Sequence, residues 1–324
     1  MIDYFLQQLV NALSAGSLYA LMAVGLAMIF GILRLINFAH GDVMMVGAYI
    51  AAFSITAGVP LPLAIAMSIG GAIVVGLAME RIAYRPLRGG PEVALLLTSF
   101  AVGLILQNGV LLLTRLNGNP VQIAFPAPEA LSGVISLGVI TIPKVNLASF
   151  VVGVTMLLLL TFFVTRTRLG LSMQATSEDL AAARLVGIRV NRVVGTAFAI
   201  ACGLAAIAGF LYATQAGQIN PYLGFTPVLK AFIAAVIGGF GSLSGAVLGA
   251  YVLAFLEVLP TAIFGIGEIN PGRAIPPGLL DIVNTIFPGH LASYRDAWVF
   301  VFLIVVLLFR PNGLLAGRAR EETP

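Results

Sequence analysis

Eight apolar runs divide this chain, and their length restricts its fold more than any other feature. They fall at roughly 6–33, 39–58, 60–79, 93–114, 147–165, 193–215, 227–264 and 296–309. A hydrocarbon core about 30 Å thick takes about 20 helical residues to cross, and most of the runs approach or exceed that. Hydrophobic residues make up 60% of the 324, charged residues only 9%, and the mean hydropathy is +1.05. Soluble globular chains do not sustain such values. A membrane barrel would show short alternating segments, whereas these runs are continuous. The expected fold is all-α, a polytopic transmembrane helical bundle of about eight spans in a single domain over 1–324.

The polar segments between the runs carry the topology. Arg34, Arg81, Arg85, Arg88, Arg166, Arg168, Arg184, Arg189, Arg192, Arg310, Arg318 and Arg320 fall on one side. Arg115, Lys144, Arg273 and Arg295 fall on the other, and Lys230 lies in or near the membrane. The side richer in Lys and Arg is expected to be cytoplasmic. That places the N-terminus outside, the C-terminus inside, loops 115–146 and 265–295 outside, and loop 166–192 in the cytoplasm. The net charge of +4 reports this bias and not nucleic-acid binding. The start, MIDYFLQQLV, lacks a basic n-region and reads as mature protein. The single cysteine, Cys202, excludes an intrachain disulfide.

The topology closes only if 227–264 crosses an even number of times or re-enters. Its middle, GGFGSLSG at 238–245, is a natural break, and the half before it is too short to cross. A broken or re-entrant helix is expected near 227–245. There is also a weak internal echo, GAYIAAF at 47–53 and GAYVLAF at 249–255, each after a glycine-containing break.

Four sites are candidates for function. TSEDLAAARLVG (176–187) is a compact, charged, helix-forming stretch in a chain that is otherwise apolar and sparsely charged. Thr176 with Asp179 fits a capping box, with Glu178 and Asp179 in the first turn, Arg184 in the last and Gly187 as the stop. The expected helix has about ten residues, with Ala181, Ala182 and Leu185 on it. It either docks another protein or merely connects two spans. NFAHGD (37–42), with Asn37, His40, Gly41 and Asp42, is either a capped turn or a polar break lining a pathway. Gly238, Gly239 and Gly241 either permit close packing, as does GxxxG at Gly245 and Gly249, or line that pathway. Lys230 and Glu257 are charges in apolar runs that either serve a pathway or snorkel.

Enzymatic and metal signatures are absent. There is no H-E-x-x-H, no G-x-S-x-G and no phosphate-binding G-x-x-x-x-G-K-[ST]. Two histidines and one cysteine give no metal cluster, and no cofactor is expected. Energy for pumping would come from a separate subunit or an ion gradient.

Several long motifs resemble a known family. They are INFAHGDVMMVGAYIA (36–51), ERIAYRPLRG (80–89), GLSMQATSEDLAAARLVGIRVNRV (170–193), GFLYATQAGQINPYLGFTPVLKAFIAAVIGGFGSLSGAVLGAYVLAFLE (209–257) and YRDAWVFVFLIVVLLFRPNGLL (294–315). In this order they resemble the LivH-type permease subunits of bacterial ABC importers for branched-chain amino acids. Ala316 before the last glycine and a long loop at 265–293 depart from the pattern. The resemblance implies that Glu178, Ala181, Ala182 and Gly187 belong to a coupling helix docking in an ATPase groove. It implies two ATPase subunits, a homologous second permease and a periplasmic substrate-binding protein, in the bacterial inner membrane. The chain would itself be no enzyme. Similar permeases move urea, short amides or other amino acids, so these stay as alternatives. A stand-alone transporter of a small neutral solute, using Asp42, Lys230 or Glu257 for coupling, is a further one.

Overall fold

The computed structural model describes residues 2–137, 140–269, 295–310 and 313–315. Eleven helices appear among them: α1 (Ile2–Leu33), α2 (Ala39–Thr56), α3 (Leu61–Met79), α4 (Glu92–Leu116), α5 (Lys144–Arg166), α6 (Arg168–Glu178), α7 (Leu180–Leu185), α8 (Val190–Ala216), α9 (Phe225–Gly238), α10 (Leu243–Ile269) and α11 (Arg295–Phe309). A π-helical turn, Glu80–Tyr84, and a 3-10 turn, Arg85–Leu87, extend α3. Within the expected outer loop 115–146 there are short strands: β1 (Ile123–Ala124), β2 (Val134–Leu137) and β3 (Ile140–Pro143). β2 and β3 form an antiparallel hairpin, and β1 pairs with β4 (Gln218–Ile219) after α8.

Helix dominates because a backbone in hydrocarbon has to satisfy its own hydrogen bonds. Among the described residues five helices are long and apolar enough to cross a membrane: α1, α3 with its extension, α4, α5 and α8. The bent pair α9–α10 makes up to six. The expected count of about eight is not confirmed. α1 and α8 form the centre, and α3, α4 and α5 lie outside them with apolar faces exposed. α2 is internal too, with thirteen of its eighteen residues buried. α11 has only 15 residues.

The expected break in 227–264 is present. α9 and α10 meet at 116°. Gly239 and Gly241 adopt φ of +104° and +90°, which side chains rarely tolerate. Ser242 starts α10 by accepting from the Gly245 amide at 3.0 Å. The Leu314 and Leu315 amides donate to the carbonyls of Ile237 and Gly238. Leu314 and Leu315 therefore satisfy orphan acceptors at the end of α9. α10 runs to Ile269, past the expected loop boundary at 265, and the rest of that loop lies outside the described residues.

A second break follows α1. Arg34 takes φ +54°, and the chain turns back into the bundle before α2 begins. The His40 ring fills the space over Gly25. Gly25 lies eight residues before the end of α1, so α2 starts about 12 Å inside it. α9 starts at the same level, because Gly41 and Gly224 touch backbone to backbone. A Cβ on either would overlap the other's carbonyl. Gly41→Ala is therefore expected to destabilise the fold by about 1–3 kcal/mol, seen as a lower unfolding midpoint in detergent. An unchanged midpoint contradicts this contact. The two echo segments lie in α2 and α10, the helices that follow the two breaks. Gly47 and Gly249 there lie against Ala206 of α8 and Ala234 of α9.

Candidate coupling surface and transport pathway

The charged stretch folds differently from the expectation at its start. α6 continues through Thr176 to Glu178. Thr176 is buried, and its hydroxyl donates to the Ser172 carbonyl at 2.7 Å, so it caps nothing. The cap is Asp179, held extended at φ −150°, ψ 111°. One carboxylate oxygen of Asp179 accepts from the amides of Ala181 at 2.7 Å and Ala182 at 2.9 Å. The helix it caps, α7, has six residues, and Glu178 ends α6 instead of opening α7. Gly187 is the stop that its position suggested, at φ +83° with its amide donating to the Arg184 carbonyl.

α7 is anchored on one side and bare on the other. Ala183 is buried, and its carbonyl accepts from the Ile188 amide. Ala181, Ala182, Leu185 and Val186 are exposed, Leu185 at 89% and Val186 at 76%. Arg184, Arg189 and Arg192 line a shallow cavity beside this tip. A second cavity, of about 400 Å³, is lined by Arg34, Tyr84, Arg88, Glu178, Leu180 and Arg184 among others. Arg88 pairs with Glu80 and donates to Asn191 Oδ1 at 2.8 Å. Burial, with the Arg184 guanidinium nearby, draws Arg88 below its ordinary pKa. The arginines of residues 34, 88, 184, 189 and 192 thus gather at one end of the bundle.

The seven pathway candidates do not meet. Asn37, His40, Gly41 and Asp42 lie inside, at the start of α2. Asn37 Oδ1 accepts from the Tyr84 hydroxyl at 2.7 Å, and Asp42 Oδ1 accepts from Gln107 Nε2 at 2.7 Å. Neither Asn37 nor Asp42 caps α2, which starts at Phe38 without a side-chain cap. The Asn37 amide nitrogen and both His40 ring nitrogens are buried without a hydrogen bond. Gly238, Gly239 and Gly241 sit instead at the end of α1, with Gly241 beside Gly31 and Phe240 against Phe30. Gly238 packs on Gly245, and Gly239 and Gly241 form the bend. Gly241 also edges a cavity of about 290 Å³ between α1, α5, α6 and α10.

Some functional partners were not legible beforehand. Lys230 and Glu257 do not snorkel. They are buried and bond each other at 2.8 Å, with the Tyr19 hydroxyl donating to Glu257 at 2.9 Å. Gln107, within an apolar run, bonds Asp42. Among the described residues no three His, Cys, Asp or Glu side chains gather as a metal site.

Comparison with known proteins decides the family. The family described as "Branched-chain amino acid transport system / permease component" matches residues 8–309. The chain belongs to this permease family. Its relatives include the high-affinity branched-chain amino acid transport system permease protein BraD of Pseudomonas aeruginosa, 38% identical over 99% of this chain and 98% of that one. The corresponding LivH of Escherichia coli is 35% identical, over 98% and 97%. A more distant permease, LsrC of an autoinducer 2 import system in Salmonella paratyphi B, is 29% identical over 78% and 70%. The solved PsaBC from Streptococcus pneumoniae in complex with Fab aligns over 96% of this chain and 97% of that one. Its identity is 15% and its TM-score 0.47, too distant a likeness to bear on function. Permeases of this family are subunits of transport systems, which agrees with a chain of apolar helices that lacks a nucleotide-binding motif.

Proposed function

We propose that the chain is the transmembrane permease subunit of an ATP-driven importer of branched-chain amino acids, moved by ATPase subunits through α7. The observation that carries this is the bare apolar tip of α7. Leu185 and Val186 stand almost fully exposed on a helix fixed at both ends, by Asp179 and by Gly187. Exposed apolar residues rimmed by charge mark an interface. Six residues are too few for a helix that lies in lipid, and Ala181 and Ala182 permit close approach. Glu178 borders the adjoining cavity.

BraD and LivH, similar from end to end, support the substrate class. Two ATPase subunits would dock at the α7 face, a homologous second permease would complete the pathway, and a periplasmic binding protein would deliver substrate. The gathering of arginines near α7 supports a cytoplasmic location for that end. The N-terminus is then outside, the C-terminus inside, and the membrane is the bacterial inner membrane. The buried, unpartnered polar groups at 37–42 support a break whose partners change during transport. The glycines at 238–241 act as the hinge of the bent pair.

ATPase activity of the reassembled complex in nanodiscs tests this. Leucine-loaded binding protein is expected to stimulate hydrolysis several-fold. Stimulation by a urea- or amide-loaded binding protein alone would keep the mechanism and replace the substrate. ATPase subunits that do not associate with this chain contradict the proposal.

A further inference from the structure

The cavity of about 400 Å³ beside α7 is walled by the end of α1, the turn after α3, the start of α4 and the α6–α7 corner. Three of these parts each contribute a guanidinium group: Arg34 after α1, Arg88 after the 3-10 turn and Arg184 on α7. Glu178 is the one carboxylate on the lining. Arg88 pairs with Glu80 and donates to Asn191, yet its Nε is buried without a hydrogen-bond partner. Three cations against two carboxylates leave a positive excess. The shallow cavity that shares Arg184 adds Arg189 and Arg192 and no carboxylate. Burial and the nearby Arg184 guanidinium draw the Arg88 pKa down, so like charges are held close.

Arg34 adds a backbone observation. Its φ of +54° is the one positive value on a non-glycine residue among the described residues. Residues held in such conformations cluster at ligand clamps. Depth in the membrane narrows the ligand further. Arg34 and Arg88 directly follow the apolar spans Tyr4–Leu33 and Leu61–Leu87. Span ends lie at the level of the lipid headgroups. Leu33, Leu95 and Leu180 give the same cavity an apolar part.

We propose that this cavity is an anion site that takes a phosphate group between Arg34, Arg88 and Arg184. Guanidinium groups meet phosphate through charge-assisted, often bidentate hydrogen bonds. A phosphate there offsets the repulsion among the arginines and ties α7 to the bundle at α1 and α3. The group is either the phosphodiester of an anionic lipid or free phosphate. The site does not depend on the transport reading, and its failure leaves that reading intact.

The test follows the thermal unfolding midpoint of the full chain in detergent. The probes are dihexanoyl phosphatidylglycerol and inorganic phosphate, with chloride at matched ionic strength as the control. A saturable rise in the midpoint is expected with a phosphate probe and not with chloride. Phosphatidylglycerol acting at concentrations where inorganic phosphate does not identifies a lipid headgroup, and equal potency identifies free phosphate. Arg34 and Arg184 are exposed, so Arg34→Gln and Arg184→Gln should fold as the wild type does. Each should need about tenfold more probe or higher, the scale of a lost charge-assisted hydrogen bond. Arg81→Gln, outside the lining, should titrate as the wild type does. Glu178→Gln removes the lining carboxylate and should need less probe, a gain that a damaged fold would not produce. No saturable rise with either probe overturns the proposal, as do unchanged titrations of Arg34→Gln and Arg184→Gln.

Discussion

Leu185→Glu is expected to abolish ATP-driven uptake while leaving the permease as stable as before. Leu185 is 89% exposed and contributes almost nothing to the bundle's own packing. Surface substitutions of this kind shift stability by about 0.5 kcal/mol or less. In the complex the same side chain would enter an apolar socket of an ATPase subunit. An apolar anchor at an interface is worth about 2 kcal/mol or more, a factor of about 30 in affinity, and a buried unpaired carboxylate adds to the loss. Two further variants separate docking from geometry. Ala182→Glu puts a charge on the same face. Gly187→Pro removes the amide that bonds the Arg184 carbonyl and forbids φ of +83°. All three should insert into the membrane and lose uptake. Unfolding midpoints alongside uptake rates distinguish them, and normal uptake in the three variants rules out α7 as the coupling element.

The largest effect on stability is expected from Lys230→Met. Lys230 on α9 donates to Glu257 on α10 at 2.8 Å and to the Tyr19 hydroxyl of α1 at 3.4 Å. The two charged side chains are only 10% and 4% exposed. They tie together the two arms of a pair bent by 116° and hold both against α1. Removing Lys230 leaves the Glu257 carboxylate buried without this cation, at a cost of about 3–5 kcal/mol. Replacing both, as Lys230→Met with Glu257→Gln, removes both charges together and should recover much of the loss. A double-mutant cycle on thermal unfolding in detergent measures the coupling. Additive effects of the two single changes would show that the pair does not act as a unit.

Features set by local chemistry were readable in the sequence. Continuous apolar runs mark membrane helices, and Gly239 and Gly241 mark a bend, because hydropathy and positive φ belong to single residues and short windows. The span count was not readable. NFAHGD has the composition of a surface turn, yet Gly25 and Gly224 leave room for it inside the bundle, so α2 starts at depth. Local pattern also misplaced a cap. Thr176 and Asp179 are both good capping residues, and only the turn of α6 that uses the Thr176 hydroxyl decides for Asp179. Partners distant in sequence were out of reach altogether. Lys230 and Glu257 are brought together by the bend, Asp42 and Gln107 by the notch at Gly103, and periodicity reports neither.

Uptake of labelled leucine into proteoliposomes tests the central claim most directly. The vesicles would hold this chain, its partner permease and the ATPase subunits, with binding protein outside and ATP inside. Accumulation that requires ATP, the ATPase subunits and an intact Leu185 is the predicted result. Leucine entry through this chain without ATPase subunits or ATP would contradict it and leave α7 a connector between two spans.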